Sequence, residues 1–274
     1  TSTRNRGSLM GVDHEGIPHI NHDRFADSAG RTWSGREFES NNWSADDGSA
    51  PPELISAIES FKAEQASLAS VVDALRENRL LIPLLAKLGE SGEGAHGQVV
   101  DKSADLAIVT VETPDEQTGL PAFTSVDAMA RWNPQARPVP TDAIKVALAA
   151  ASEQTNRIII DPGSPTEIAL RRPAIEAIAQ SLPWAPPEEI AEIHELFSAA
   201  IASESDVFAF ALMSGDPTAT LAGNELLALF RVRAGLDSEL LDATMHRIFE
   251  RLATDELFAR SVDSMAVKLV AAEK

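Results

Sequence analysis

From Pro51 onward, apolar runs of strand length alternate with stretches of helical period, and Pro, Gly or Asp stands between them. Leu54, Ile58 and Phe61 have helical spacing, and Pro51–Pro52 suits a helix start. Leu68, Val71, Val72 and Leu75 follow the i, i+3, i+4, i+7 rule. Residues 80–86 then read as a buried strand, and 106–111 with 120–123 as a hairpin across turn residues 113–119. Thr124 and Asp127 form a capping-box pair for a short helix that ends by Asn133, ahead of Pro134. Thr141 is the expected N-cap of the next helix, whose face is Ile144, Ala147, Leu148 and Ala151. Strands at 157–160 and 167–170 flank the turn Asp161-Pro-Gly-Ser-Pro165, and Ile175, Ile178, Ala179 and Leu182 line a closing helix.

Three prolines within residues 183–187 stiffen the chain there and mark a linker. The tail, 188–274, reads αββαβ: a helical stripe of Ile190, Ile193, Phe197 and Ile201, strands at 207–213 and 225–232, a helix capped by Asp237, and a strand at 265–270. Hairpins mixed with helices in both segments predict an α+β class: two mixed α/β layered domains, 51–182 and 188–274, with helices packed on mainly antiparallel sheet. Residues 1–50 form a preceding irregular arm with no sustained period, yet Phe25, Trp33, Phe38 and Trp43 recur along it. Large aromatics forgo several kcal/mol if left in water, so Trp33, Phe38 and Trp43 are candidate partner-binding residues. Asp46 and Asp47 beside them suggest a basic rim on the docking surface.

Composition narrows the chemistry. Of the 274 residues 44% are hydrophobic and 24% charged, enough for a core and unlike wholesale disorder. With no cysteine there is no thiolate nucleophile, disulfide, iron–sulfur cluster or thiolate zinc site. No apolar run approaches the ~18 residues of a membrane span, and the first thirty residues have no signal-peptide core. A cytoplasmic protein with no membrane partner is the expectation. The net charge of −19 is spread as −3, −7 and −9 over residues 1–50, 51–183 and 184–274. The only tight basic pair in the folded segments is Arg171–Arg172, so direct nucleic-acid binding is disfavoured.

Few motifs carry chemistry. Gly92-Glu-Gly-Ala-His-Gly97 fits a dinucleotide fingerprint, but no helical period follows and Glu90 and Glu93 would repel phosphate. His14, His19 and His22 lie close without the spacing of a rigid metal site, so no metal or other cofactor is expected. Glu188, Glu189, Glu192 and Glu195 cluster on one expected helix and read as a solvated polar face near its N-terminus. His194 falls on that helix's apolar stripe, and His246 lies four residues after Asp242. Arg171 and Arg172, followed by Pro173 where a strand gives way to a helix, are a candidate anion site.

Several strings, in order, resemble the SseB family, in the form found in actinobacteria. They are Ser28-Ala-Gly-Arg-Thr-Trp-Ser-Gly-Arg-Glu-Phe38, Asp46-Asp-Gly-Ser-Ala50, Val72-Asp-Ala-Leu-Arg76, Arg79-Leu-Leu-Ile-Pro-Leu84, Asp101-Lys-Ser-Ala-Asp105, Leu120-Pro-Ala-Phe-Thr-Ser125, Trp132-Asn-Pro134 and Arg172-Pro173. The resemblance spans roughly residues 28–182 and implies a small α+β domain. It brings no catalytic residues with it. The family is named for an enhanced serine-sensitivity phenotype, and its actinobacterial members are often encoded near translation genes. Rhodanese-type sulfur transfer, with which the family has been confused, needs the cysteine this chain lacks. The expected function is a non-enzymatic protein-binding or regulatory role, with a ribosomal or translation-factor partner, or a second copy in a homodimer. The alternatives are a small-molecule sensor tied to amino-acid (serine) metabolism, with its site between the domains, and a hydrolase or transferase marked by convergent His and carboxylates in a cleft.

Overall fold

The structure, a computed structural model, describes residues 43, 46–86, 106–152 and 155–272. Contacts divide the chain into Thr1–Ser44, of which only Trp43 is described, and Ala45–Lys274. Trp43 lies in a turn and is half-buried. Trp33, Phe38, the histidines at 14, 19 and 22, and the loop at 92–97 lie outside the described residues.

In the second unit, α1 (Pro52–Lys62) begins on Pro51 and buries Leu54 and Ile58. It packs on α2 (Leu68–Arg76), where the Ser67 hydroxyl accepts the Ala69 N–H and Val71, Val72 and Leu75 are buried. Strand β1 (Arg79–Ala86) pairs antiparallel with β2 (Leu106–Ile108) on one side and β5 (Arg137–Asp142) on the other. A second sheet has the order β3-β4-β6-β7, from β3 (Val111–Glu112), β4 (Thr118–Ala122), β6 (Arg157–Ile160) and β7 (Ile168–Arg171). Only its β4–β6 pairing is parallel. Helices α3 (Val126–Trp132), α4 (Ala143–Ser152) and α5 (Arg172–Ala179) complete this region. Its core joins Leu54, Val72, Leu120, Ile158, Leu170 and Ile175.

Two local expectations are corrected. Thr141 caps no helix, because residues 137–142 form β5 along β1. Pro138 and Pro140 are tolerated there because β5 is an edge strand, where a missing N–H breaks no ladder. The cap of α3 is Ser125, whose hydroxyl accepts the Ala128 N–H, and not Thr124. Thr124 is claimed by the buried Asp161, which accepts its N–H at 2.8 Å and its hydroxyl at 2.7 Å. A buried carboxylate needs such donors more than an exposed helix end does.

The tail builds a second layered region around its own core. A 3-10 turn (Pro187–Glu189) leads into α6 (Ala191–Ile201), β8 (Val207–Ser214), β9 (Leu226–Val232), α7 (Ser238–Ala253), α8 (Glu256–Ser261) and β10 (Met265–Ala271). The sheet order is β10-β9-β8, antiparallel for β8–β9 and parallel for β9–β10. Phe197 stacks on Phe210 and Phe230 at 5.5 and 6.0 Å between centroids, and Ile193, Ile248 and Leu252 fill the space around it. The protein is thus a mixed α/β arrangement of sheets with packed helices. The order expected for the tail is present, with α8 added to it.

Asp237 is the N-cap of α7, its carboxylate accepting the Leu240 N–H at 2.8 Å. Asp237→Ala is expected to cost about 1 kcal/mol in chemical denaturation, the usual worth of a lost cap.

Candidate functional site

Strand β7 is buried along its whole length, so its last residue, Arg171, points its guanidinium into the interior. Arg171 donates to Asp216 Oδ2 at 2.9 Å, to the Gly223 carbonyl, and to Ser264 Oγ at 3.2 Å. All three acceptors belong to the tail. Asp216 is held in place by the N–H groups of Thr220 and Leu221 in the β8–β9 loop. That loop turns so tightly that Gly215 lies against Asn224, and Gly223 against Gly215; a Cβ at either glycine would overlap the opposite carbonyl. Further along the loop, the Ala219 carbonyl accepts the Ala169 N–H at 2.7 Å, and Leu221 packs on Ile159 and Ala169. Within the proline-rich segment, Trp184 packs against the first core.

Arg157 on β6 lies directly across from Arg171 in the register. Its Nε donates to Asp115 at 2.8 Å, and its two Nη atoms donate to Asp263 at 3.0 and 2.7 Å. Asp263 also lies 3.6 Å from Arg171. Burial opposes the charge on Arg157, but the hydrogen bonds to Asp263 and Asp115 outweigh it and hold its pKa above the ordinary value.

Next to this network is a cavity of about 310 Å³. Phe61, Leu68 and Trp184 form its apolar wall, and Arg171, Glu188 and Glu225 are polar groups at its lining. Glu225 is buried, its Oε2 accepting the Asp263 N–H at 2.6 Å. Burial first, then the nearby charges of Asp263 and Glu188, push its pKa up to about 7 against the relief given by the Asp263 N–H and Arg171. Burial likewise raises Glu188, whose Oε2 is buried with no hydrogen-bond partner. The volume and the mixture of apolar wall with a few convergent polar groups are those of a small-molecule site.

The residues singled out from sequence fall unevenly on this geometry. Arg171 lines the cavity; Arg172 lies apart from it, bonded to Glu176 and to the Ala259 carbonyl. Both guanidinium groups already have protein acceptors. Asp46, expected to face a basic rim on a partner, accepts from Arg79 of its own chain at 2.8 Å. The four glutamates do not share one helical face. The 3-10 turn stands apart from α6, so Glu188 and the more exposed Glu189 border the cavity while Glu192 and Glu195 stay exposed on α6. His194 supports that turn, its Nε2 lying 2.8 Å from the Glu188 carbonyl oxygen. His246 pairs with Glu250 at 3.3 Å, on the other side from Asp242. Sequence reasoning missed Arg157, Asp216, Glu225 and Asp263. The one local pattern that points to any of them is the turn chemistry of Ser214-Gly-Asp-Pro217, which carries Asp216. Among the described residues, no group of three or more His, Asp or Glu side chains is arranged to hold a metal ion. No helix there is long and apolar enough to cross a membrane.

Residues 53–177 match the family model described as SseB protein N-terminal domain. This match supports the assignment to the SseB family over that part of the chain, which supplies Phe61, Leu68 and Arg171 to the cavity; Trp184, Glu188 and Glu225 come from beyond it. No curated protein and no solved structure matches the chain.

Proposed function

We propose that this SseB-type protein is a cytoplasmic, non-enzymatic regulatory protein that senses a small organic molecule, in keeping with the amino-acid metabolism that the family resemblance implies. The observation that carries this reading is the cavity, lined by apolar Phe61, Leu68 and Trp184 together with Glu188 and Glu225, one carboxylate oxygen of Glu188 being buried without a hydrogen-bond partner. A ligand there touches α1, α2 and β7 on one side and the 3-10 turn and the β8–β9 loop on the other. Occupancy therefore couples the SseB-like segment to the tail, and a change in how firmly the β8–β9 loop is held is the signal passed on. The protein-binding reading, with the translation apparatus as partner, rests on Trp33, Phe38 and Trp43. Only Trp43 of these is described, and the cavity supports the sensor reading more directly.

A thermal-shift screen of the purified chain against amino acids, amines and nucleotides tests this. A ligand at a hundred times its Kd is expected to stabilise by about 2.7 kcal/mol. Trp184→Ala is expected to weaken its binding at least about tenfold, because an aromatic side chain contributes much of the apolar wall. If no compound shifts the melt, while the arm bearing Trp33 and Trp43 captures one defined protein, the sensor reading falls and the protein-binding reading takes its place.

A further inference from the structure

We infer that the molecule bound in this cavity carries a primary ammonium group on an apolar body, the ammonium lying between Glu188 and Glu225. This rests on the proposal that the cavity is a ligand site, and it adds the class of ligand.

The argument is one of matching charges. Arg171 is answered by Asp216 and Asp263, and Arg157 by Asp115 and Asp263. Glu188 and Glu225 form no ion pair with any described residue, and one oxygen of Glu188 has no hydrogen-bond partner. Besides the exposed Glu64 and Glu189, the cavity lining therefore holds two more enclosed acidic groups, Glu188 and Glu225, with no cation of their own. An anionic ligand would meet Glu188 and Glu225 while its one cationic partner, Arg171, is already bonded to Asp216, Gly223 and Ser264. A neutral ligand would leave the excess acid unanswered. A compact ammonium, with three donors and no acceptor, supplies the missing charge and can donate to both carboxylates. The rest of the lining suits what would carry it. Phe61, Leu68 and Trp184 offer an apolar surface, and aromatic rings attract a neighbouring cation.

A consequence follows for pH. The groups near Glu225 are Asp263 from the α8–β10 connection, Arg171 from β7, Glu188 from the 3-10 turn and Asp216 from the β8–β9 loop. With its pKa at about 7, Glu225 is partly protonated at neutrality. Ammonium binding then releases a proton, and affinity climbs as pH rises from about 6 to 8, below the range where the amine itself loses its charge.

Phenethylamine, 2-phenylethanol and phenylacetate share one ring and differ in the terminal group. They are compared on the full chain by ligand-observed NMR and calorimetry at pH 7.5. The amine is expected to bind at least about tenfold tighter than the alcohol, and phenylacetate weaker than either. Glu188→Gln and Glu225→Gln, each near-isosteric and thus compatible with folding, are expected to shrink that margin by weakening the amine more than the alcohol. Glu225→Gln is also expected to flatten the rise with pH. Equal binding of amine and alcohol, or preference for phenylacetate, overturns the ammonium assignment. Where the alcohol still binds and Trp184→Ala abolishes it, the cavity remains a ligand site of another class. If none of the three binds at about 10 mM, the ammonium assignment falls, and the thermal-shift screen alone decides whether the cavity is a ligand site.

Discussion

Asp263→Ala is expected to destabilise the protein by about 3–5 kcal/mol, measured by urea unfolding at neutral pH. Asp263 accepts two hydrogen bonds from Arg157, whose side chain is 2% exposed, and lies 3.6 Å from Arg171. Its backbone N–H also fixes Glu225. Without the carboxylate, Arg157 keeps Asp115 and the Asn156 carbonyl, but its Nη2 loses its only acceptor in a place water does not reach. The cost arises from a buried charge left short of partners, not from the intrinsic worth of an ion pair. Glu250→Ala is the control. Its partner His246 is one turn away on the same helix and the two side chains are 64% and 73% exposed, so the expected change is under about 0.5 kcal/mol. If the two variants lose the same small amount, the Arg157–Asp263 link is not holding the structure. The same logic bears on residues 51–182 alone. Should they fold, as the proline-rich segment suggests, they do so with Arg157 and Arg171 deprived of Asp263 and Asp216, and their unfolding midpoint falls below that of the whole chain.

Glu225→Gln is expected to act in the opposite direction. The folded pKa of about 7 lies above the ordinary 4.5 of a glutamate, so between those values the folded state binds more protons than the unfolded state. Stability therefore falls as pH rises through that window, and the penalty is fully present above it. At about 1.4 kcal/mol per pH unit, the penalty at pH 8 is on the order of 3–4 kcal/mol. Glutamine keeps an oxygen for the Asp263 N–H and removes the charge. The variant should gain about that much at pH 8 and nothing near pH 4.5. Asp46, Asp115 and Glu204 behave conversely: hydrogen bonds to arginines contribute to holding their pKa values below normal, so their contribution is lost as pH falls below about 4. The two effects together put maximal stability of the wild type on the acid side of neutrality. A Glu225→Gln variant whose stability tracks the wild type at every pH would show that Glu225 is not held protonated.

Such buried charges set a contrast with what could be read in advance. Most elements were legible because their causes are local. The i, i+3, i+4 stripe of α2, the apolar run of β6, Asp237 at the start of α7 and the turn after β8 each act over a few residues. Where reading failed, a distant partner overrode a local preference. Thr124 would make a good cap, but Asp161, 37 residues on, takes its hydroxyl. Residues 137–142 carry two prolines and no strand pattern, yet β1 offers them a ladder on an open edge. Glu188 belongs to an acidic stretch that looks solvated, and a break between the 3-10 turn and α6 sends it inward.

The amino-acid sequence by itself determined the class of the protein: α/β layers, a proline-rich segment between two patterned regions, an SseB-like opening and no thiol chemistry. Those properties depend on spacing, side-chain type and composition, all present in a chain before it folds. Only the tertiary structure decided that Arg157 meets Asp263, 106 residues away, and that Arg171 meets Asp216, 45 residues away. It alone placed Glu188 and Glu225 at one apolar cavity. A carboxylate's burial and pKa are properties of what surrounds it, and no local pattern of residues records which distant neighbours will exclude water from it.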